Sequence, residues 1–124
     1  MWADAEKMTL DYLAAALPGR LDEDVVLSTT VPSPLPDCLV RVMSSGSERR
    51  TIVHRDSRIT VECWWPGDES RASRLAEIVY ETLDEWELLP AFDGWPSGPY
   101  PQPDPTTGCP RYVMTCVVRH RTET

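Results

Sequence analysis

Lysine is almost missing from this chain of 124 residues. Lys7 is the single lysine, and arginine supplies the other eleven of its twelve basic side chains, against twenty carboxylates and a formal net charge of −8. Phosphate binding depends on clustered lysine and arginine, so this balance disfavours nonspecific adhesion to nucleic acid. Arginine is also the better residue for fixed, bidentate contacts at protein interfaces. A GC-rich genome would produce the same excess of arginine.

Signals for export or membrane insertion are not found either. The first twenty residues contain Asp4, Glu6 and Asp11 and lack a basic start followed by an apolar stretch, so no secretory signal is predicted. No apolar run has the length needed to cross a bilayer, and we expect no membrane partner.

Residue patterns typical of catalysis or cofactor binding are lacking as well. His54 and His120 stand beside arginines at predicted strand ends without a nucleophile motif, and we interpret both as exposed. The glycines are not followed by the Lys-Ser/Thr of a phosphate loop. The acidic run at 22–24 lacks the alternating ligands of a calcium loop and is predicted to be a solvated turn. We therefore expect no enzymatic activity, no cofactor and no metal.

The cysteines show no Cys-X-X-Cys spacing. We expect buried or partly buried free thiols rather than disulfides or a zinc site, because scattered single cysteines in a chain without an export signal rarely form either. The four positions are Cys38, Cys63, Cys109 and Cys116.

A long segment rich in proline and glycine covers residues 93–111. From Gly94 to Arg111 it reads GWPSGPYPQPDPTTGCPR. Proline fixes φ and has no N–H donor, so the segment can be neither a helix nor a central strand. One domain rarely carries so long a loop without a use for it. We expect an arm that contacts a neighbouring chain.

Hydrophobic periodicity predicts two helices and several strands. Apolar residues recur at three- and four-residue steps over residues 4–17 and 69–89, with Pro18-Gly19 ending the first helix and Asp68 capping the second. Turns are expected at 44–47 and 55–57. The strand candidates are residues 25–31, 39–43, a weaker one at 50–54, 58–65, and a closing strand at 112–119.

This order predicts an α+β fold in a single domain, residues 1–124. Strands outnumber crossovers, so we expect a two-layer fold with a mostly antiparallel or mixed β-sheet of four to five strands. Both helices have one apolar stripe and should pack on one face. The alternation of Ile59, Val61 and Cys63 with polar neighbours predicts one buried sheet face. The other face would be semi-polar and would need cover, for which a partner subunit is suited.

Charged and aromatic residues supply candidate contact sites. Four arginines form the basic cluster, and the acidic face of the second helix is its natural complement; a nucleic-acid site is the other interpretation of the arginines. Trp64 is either an exposed hot spot or a rim residue beneath the arm. The candidates are Arg49, Arg50, Arg55 and Arg58 in the cluster, Glu77 and Glu81 on the helix, Trp64 on its strand, and Trp95, Tyr100, Asp104 and Arg111 in the arm.

Several of these segments together resemble a known family. They are RITVECW at 58–64, the Ala/Leu-rich helix after it, the Gly-Pro arm, PDPTTGCPRY at 103–112, the closing strand to Arg119, and Leu-Pro-Gly at 17–19. Together they resemble the tail terminator proteins of long-tailed phages that infect actinobacteria. The resemblance spans most of the chain, although no catalytic signature belongs to it.

The resemblance implies a small α/β fold that assembles as a homo-oligomer, a hexameric ring. The ring caps the tail tube, stops its polymerisation and joins it to the head-side neck. Its partners would be the tail tube protein and the head–tail connector, with DNA passing the lumen without specific binding. The protein would be made in the host cytoplasm and reside in the virion at the tail–neck junction. The alternatives are another neck or head-closure adaptor and, from other classes, a small cytosolic enzyme or regulator, or a nucleic-acid binder.

Overall fold

The first element is helix α1, Ala5–Ala16, which continues into a 3-10 turn at Leu17–Gly19. The computed structural model describes residues 4–49, 54–86, 88 and 97–121. Asp4 caps α1, because its carboxylate accepts a hydrogen bond from the Lys7 amide at 3.2 Å. Pro18 then ends the α-helix, as the sequence predicts.

A five-stranded mixed sheet forms the other layer, in the order β1-β2-β3-β5-β4. β1 pairs with β2 in parallel, and every other pair is antiparallel. The predicted α+β class, with a mixed sheet and two helices, is therefore confirmed. The strands are β1 (Val26–Ser28), β2 (Leu39–Arg49), β3 (His54–Trp64), β4 (Ser97–Pro101) and β5 (Arg111–Arg121).

The second helix, α2, spans Glu69–Asp84 and starts at an Asp68 cap, whose carboxylate accepts from the Arg71 amide at 3.0 Å. Its predicted end near residue 89 is wrong by about a turn. The Trp86 amide donates to the Leu83 carbonyl at 3.0 Å, a tight closing turn. That turn brings the buried Trp86 ring onto Tyr12 of α1 in a stacked pair, with ring centroids 4.6 Å apart.

Both helices cover one sheet face, here called the helix-side face. Leu13 of α1 and Leu75 of α2 pack in one cluster with Val61 of β3 and Met114 of β5, and all four are almost fully buried. The predicted alternation in β3 holds, because Ile59 lies on this same face with Val61. Burial of such side chains contributes about 1.5–3 kcal/mol each, which makes this cluster the main apolar core of the described residues.

Two predicted turns are in fact parts of strands. Residues 44–47 belong to β2, where the pairing register shifts between Ser44 and Gly46, and residues 55–57 belong to β3. Ladder hydrogen bonds with the neighbouring strand override the low β-propensity of serine and glycine here. His54 opens β3, whereas the rest of the predicted weak strand, residues 50–53, lies outside the described residues.

The described part of the arm runs along its own sheet. β4 pairs with β5 through Ser97–Thr115, Tyr100–Val113 and Pro101–Tyr112. This agrees with the argument from proline, because β4 is an edge strand, where missing N–H donors are tolerated. Residues 93–96 lie outside the described residues, and contact between the arm and another chain stays a prediction.

We expect Gly98→Ala to lower the free energy of unfolding by about 1–3 kcal/mol. Gly98 has φ +101°, and an added Cβ would lie 2.9 Å from the Val113 carbonyl oxygen. Urea unfolding followed by circular dichroism measures the change. Gly19→Ala is the matched control, because its added Cβ meets no heavy atom within 4 Å. Equal losses in the two variants would contradict the close approach of β4 to β5.

Candidate functional site

The sheet face away from the helices, here called the outer face, carries the even-numbered residues of β3 and the odd-numbered residues of β5. Side chains alternate between the two faces along a strand. Because Ile59 and Met114 point to the helix-side face, the residues next to them in β3 and β5 point to the outer face. Thr60 and Thr115 are half-buried there, and Arg58 is exposed. The expected semi-polar second face is therefore present, although one end of it is covered.

Trp64 lies under that cover. Its side chain is 4 % exposed and packs with Leu39, Cys109 and the partly buried Leu35. Cys109 belongs to the predicted arm, so the structure favours the interpretation of Trp64 as a residue beneath the arm over that of an exposed hot spot. This small second cluster ties the chain before β2 and the chain before β5 to the same indole ring.

A buried carboxylate beside Trp64 holds two arginines. Glu62 Oε1 accepts from Arg41 Nη1 at 3.3 Å and from the Trp64 indole N–H at 3.2 Å, and its Oε2 lies 3.3 Å from Arg111 Nη1. The Arg111 guanidinium also lies over the Trp64 ring, 5.1 Å from its centroid, and donates to the Gln102 carbonyl at 2.8 Å. Arg111, a predicted contact residue, thus anchors the arm to its own sheet.

Strand pairing gathers arginines at one end of the sheet. The register places Arg49 opposite Arg55 and His54 opposite Arg121, with Arg119 next along β5. Glu48 and Asp56 are the acidic residues among them, and Asp56 Oδ1 bonds Arg119 Nε at 3.0 Å. We call the five arginines the basic sheet end: Arg49, Arg55, Arg58, Arg119 and Arg121.

Sequence reasoning found only part of this group. The register places Arg49 opposite Arg55, with Arg58 three positions further along β3, and Arg50 lies outside the described residues. Their grouping into one contact site stays a prediction. Arg119 and Arg121 were missed because they are more than sixty positions away along the chain. Antiparallel pairing of β3 with the closing strand was the signal that would have found them.

The second half of α2 is acidic on its solvent side. Four neighbouring carboxylates are exposed there, while the opposite side of the helix is buried on the sheet. Arg20 binds the last of them, Glu85, and this hydrogen bond raises the pKa of Arg20. We call this group the acidic helix face: Glu77, Glu81, Asp84 and Glu85. Since α2 covers the helix-side face, the acidic helix face and Arg58 on the outer face lie on opposite sides of the two layers.

The remaining arm candidates have separate environments. Tyr100 is 46 % exposed on edge strand β4, which suits a contact residue. Asp104 closes a turn, because its carboxylate accepts from the Thr107 hydroxyl at 2.6 Å and from the Thr107 amide at 3.0 Å. The hydroxyl bond holds the pKa of Asp104 below its usual value. Trp95 lies outside the described residues.

A serine–histidine contact was missed by the sequence argument. Ser57 Oγ lies 2.7 Å from His120 Nε2, and the two residues are 4 % and 3 % exposed. The expectation that His120 is an exposed strand-end residue is therefore wrong, because the β5 register turns its ring toward the helix-side face. A hydroxyl beside an imidazole is the starting arrangement of nucleophilic catalysis. Burial of both groups leaves no approach for a substrate in this conformation.

All four cysteines are free and buried, which confirms that part of the sequence prediction. Burial raises the pKa of Cys38 and of Cys116 to about 12. Burial also raises the pKa of Cys63 and Cys109, helped in Cys109 by the nearby Asp104 carboxylate. Such thiols stay protonated at neutral pH and are poor nucleophiles and metal ligands. Within the described ranges, no three His, Cys, Asp or Glu side chains are grouped to hold a metal.

No protein-family model matches the chain, and a search of curated proteins finds no match. Among the described residues, neither helix combines the length and the apolar character needed to cross a membrane.

We expect Glu62→Ala to lower the free energy of unfolding by about 3 kcal/mol. Its removal leaves Arg41 and Arg111, whose side chains are 28 % and 11 % exposed, without the carboxylate between them. Chemical denaturation measures the loss. Glu77→Ala is the control, since that carboxylate is exposed and its removal should change stability by less than about 0.5 kcal/mol. Similar values for both variants would mean that the Glu62 contacts contribute little.

We expect thiol modification of the native protein to begin at Cys109. At pH 8 all four thiols are largely protonated, and Cys109 is 9 % exposed against 0–2 % for the others. Brief iodoacetamide treatment followed by peptide mass spectrometry should find label at Cys109 first. The same treatment in urea should label all four at similar rates. Early native-state labelling of Cys116 would show that the helix-side core opens more readily than the arm.

Proposed function

We propose that this protein is a structural assembly protein, a tail terminator that forms a closed ring on the end of a phage tail tube. The ring stops tube polymerisation and joins the tube to the head-side neck. The observation that supports this most is the separation of charge, with arginines at the basic sheet end and carboxylates on the acidic helix face.

A closed ring requires head-to-tail contacts, in which each subunit uses two different and complementary surfaces. A single copy of this chain carries such a pair. Arg58 on the outer face and Glu81 on α2 face in opposite directions, so they are suited to contacts with two different neighbours rather than with each other. Complementary charge of this kind steers association and fixes register.

The family resemblance supports the same function. Most of the segments that carry it fall on β3, on α2, on β4 with the turn after it, and on β5, while Leu-Pro-Gly at 17–19 forms the turn that ends α1. These elements are neighbours, because β3 pairs with β5, β5 pairs with β4, and α2 packs on β3 and β5. Most of the resemblance thus concerns one contiguous part of the fold.

The acidic character of the chain suits a ring through which DNA passes. A formal net charge of −8 repels phosphates and disfavours sticking of DNA in a lumen. In this proposal the protein has no catalytic role and needs no cofactor, and its final place is the tail–neck junction of the virion. Its partners are other copies of the chain, the tube protein and a connector.

The test is the mass of the protein in solution, by light scattering over a range of concentrations, with and without polymerised tube protein. We expect a concentration-dependent step from monomer to ring, or ring formation on tube ends, together with tubes that stop growing. A monomer at every concentration that neither binds tube ends nor changes tube length would overturn the proposal. Binding to a connector but not to tube ends would indicate a neck adaptor instead.

We expect Glu77→Lys combined with Glu81→Lys to weaken ring formation by about tenfold or more, because several complementary pairs become like-charge pairs. Arg58→Glu should weaken it in the same direction, and the three changes together should restore part of the loss. Asp37→Lys with Glu69→Lys is the control of matched charge at other exposed positions. Equal weakening by the control would show a net-charge effect only. The mass distribution from sedimentation velocity is the readout.

A further inference from the structure

The two ends of the described sheet differ in how they are protected. β4 lies at one end and contains Pro99 and Pro101, which have no amide hydrogen to offer to a further strand. β1 lies at the other end, and residues 25–31 read VVLSTTV, without a proline or a charged side chain. Proline and lysine are the usual protection of an edge strand, because an unpaired edge invites pairing with another chain. β1 is therefore the open edge of the described sheet.

The register shows which backbone groups of β1 face outward. Val26 pairs in parallel with Leu39, and its amide donates to the Cys38 carbonyl at 3.1 Å. Backbone groups of successive residues in a strand point to opposite sides, so the amide and carbonyl of Leu27 point away from β2. Leu27 thus presents one donor and one acceptor to an added strand.

An apolar groove of about 530 Å³ adjoins this open edge. Leu27 lines it, together with Leu13 and Leu17 of α1 and with Leu21. Leu13 and Leu17 are buried in the core, and the other two are half-buried, so the floor of the groove is firmly packed. The volume lies in the range of about 300–1,000 Å³ that is typical of ligand sites. Every second side chain of a strand added to β1 would point into this groove.

Exposed apolar side chains are concentrated at the same edge. Val26 and Val31 are each 40 % exposed, and Tyr100 of β4 is the other exposed large hydrophobic residue among those described. Val26 lies on the outer face, because its neighbour Leu27 lies on the helix-side face. An added strand would therefore find apolar contacts on both of its sides.

Carboxylates line the groove where the chain enters β1. Asp22, Glu23 and Asp24 are all exposed, and the described lining includes no basic side chain. Arg71 approaches Glu23 at 4.0 Å from α2, whereas Asp22 and Asp24 belong to none of the described salt bridges. An occupant with arginine or lysine beside its apolar residues has the complementary charge.

We propose that the β1 edge and the groove beside it form a strand-addition site for an extended, basic segment of a different protein. The segment pairs with the backbone of Leu27, places alternate apolar side chains on the groove floor, and places arginine or lysine against Asp22 and Asp24. This site goes beyond the proposed function, because it uses neither the basic sheet end nor the acidic helix face.

A second copy of this chain is a poor occupant. Its strands β2, β3 and β5 each have a neighbour on both sides, and β4 contains prolines. Its own β1 follows the acidic run at 22–24 and would bring carboxylates rather than cations to the groove. The charge of the groove therefore favours a partner of opposite charge.

The probe is the fluorescent peptide RRTVTVTRR. In an extended chain its two valines lie on one side with an arginine before and after them, and its order is the same in both directions. It therefore fits a parallel or an antiparallel addition. Fluorescence anisotropy with the full chain should show saturable binding with a Kd of about 100 μM or lower at low salt.

Two variants on α1 form a matched pair. Ala14 and Ala15 are both exposed, but only Ala14 lines the groove. Ala14→Phe should weaken peptide binding about tenfold or more, because the ring occupies the groove, and Ala15→Phe by less than about twofold. Asp22→Asn with Asp24→Asn should weaken it about fivefold, whereas the same loss of charge on α2, Glu77→Gln with Glu81→Gln, should have little effect.

Pairing through the backbone has its own readout. Alternate amides of an added strand face β1, so methylation of the even-numbered peptide nitrogens and methylation of the odd-numbered ones should differ, with one set abolishing binding. Amide exchange measured by NMR should slow about tenfold or more at Leu27 when the peptide binds. The Val26 amide, which already donates to Cys38, should change little.

Three results would overturn the site. One is the lack of saturable binding by this peptide and by versions with leucine or phenylalanine in place of valine. Another is equal weakening by the two phenylalanine variants, or equal sensitivity to both methylation sets, which would reduce the binding to general attraction by an acidic chain. The third is self-association that Ala14→Phe abolishes while no peptide binds, which would assign the edge to a second copy.

Discussion

The buried Glu62 carboxylate is the constraint on which the rest of the outer face depends. It sits on the central strand β3 and holds Arg41 of β2 and Arg111 at the start of β5, so one side chain joins three strands. A carboxylate removed from water is tolerated only with partners, which is why both of its oxygens are engaged. Arg111 then fixes the arm over Trp64, and a segment suited by composition to project from the domain is held against its own sheet.

Charge separation between the two layers has two distinct physical origins. On α2 it is local, since a helix that buries one stripe must present its remaining residues to water, and here those of the second half are acidic. At the basic sheet end it is non-local, because antiparallel pairing places Arg119 opposite Asp56 and Arg121 opposite His54, on the two sides of the Arg55–His120 pair. In a chain of net charge −8, five arginine positions thereby share one end of the sheet with Glu48 and Asp56.

Prediction from sequence was correct for features that depend on hydrophobic periodicity within one helix or strand. Both helices, the cap at Asp68 and the buried alternation of Ile59 and Val61 follow from periods of 3.6 and 2. It failed where a distant pairing decides the outcome. β3 continues through residues 55–57 because β2 and β5 supply ladder partners, and the same β5 register buries His120 against Ser57. The Glu62 cluster was not anticipated, because its partners Arg41 and Arg111 are 21 and 49 positions away along the chain, beyond any local pattern.

Composition, spacing and element order along the chain are enough to predict the two-layer α+β class, the burial of the cysteine thiols and the acidic side of α2. Which charges meet, and the burial of Trp64 against Leu39 and Cys109, are properties of the folded chain alone. Those properties depend on strand order and register, which arise when non-local hydrogen bonds and buried side chains are satisfied together. The residue pattern of a helix or strand specifies which of its side chains can be buried. The elements that those side chains pack against depend on the strand order and register of the whole fold.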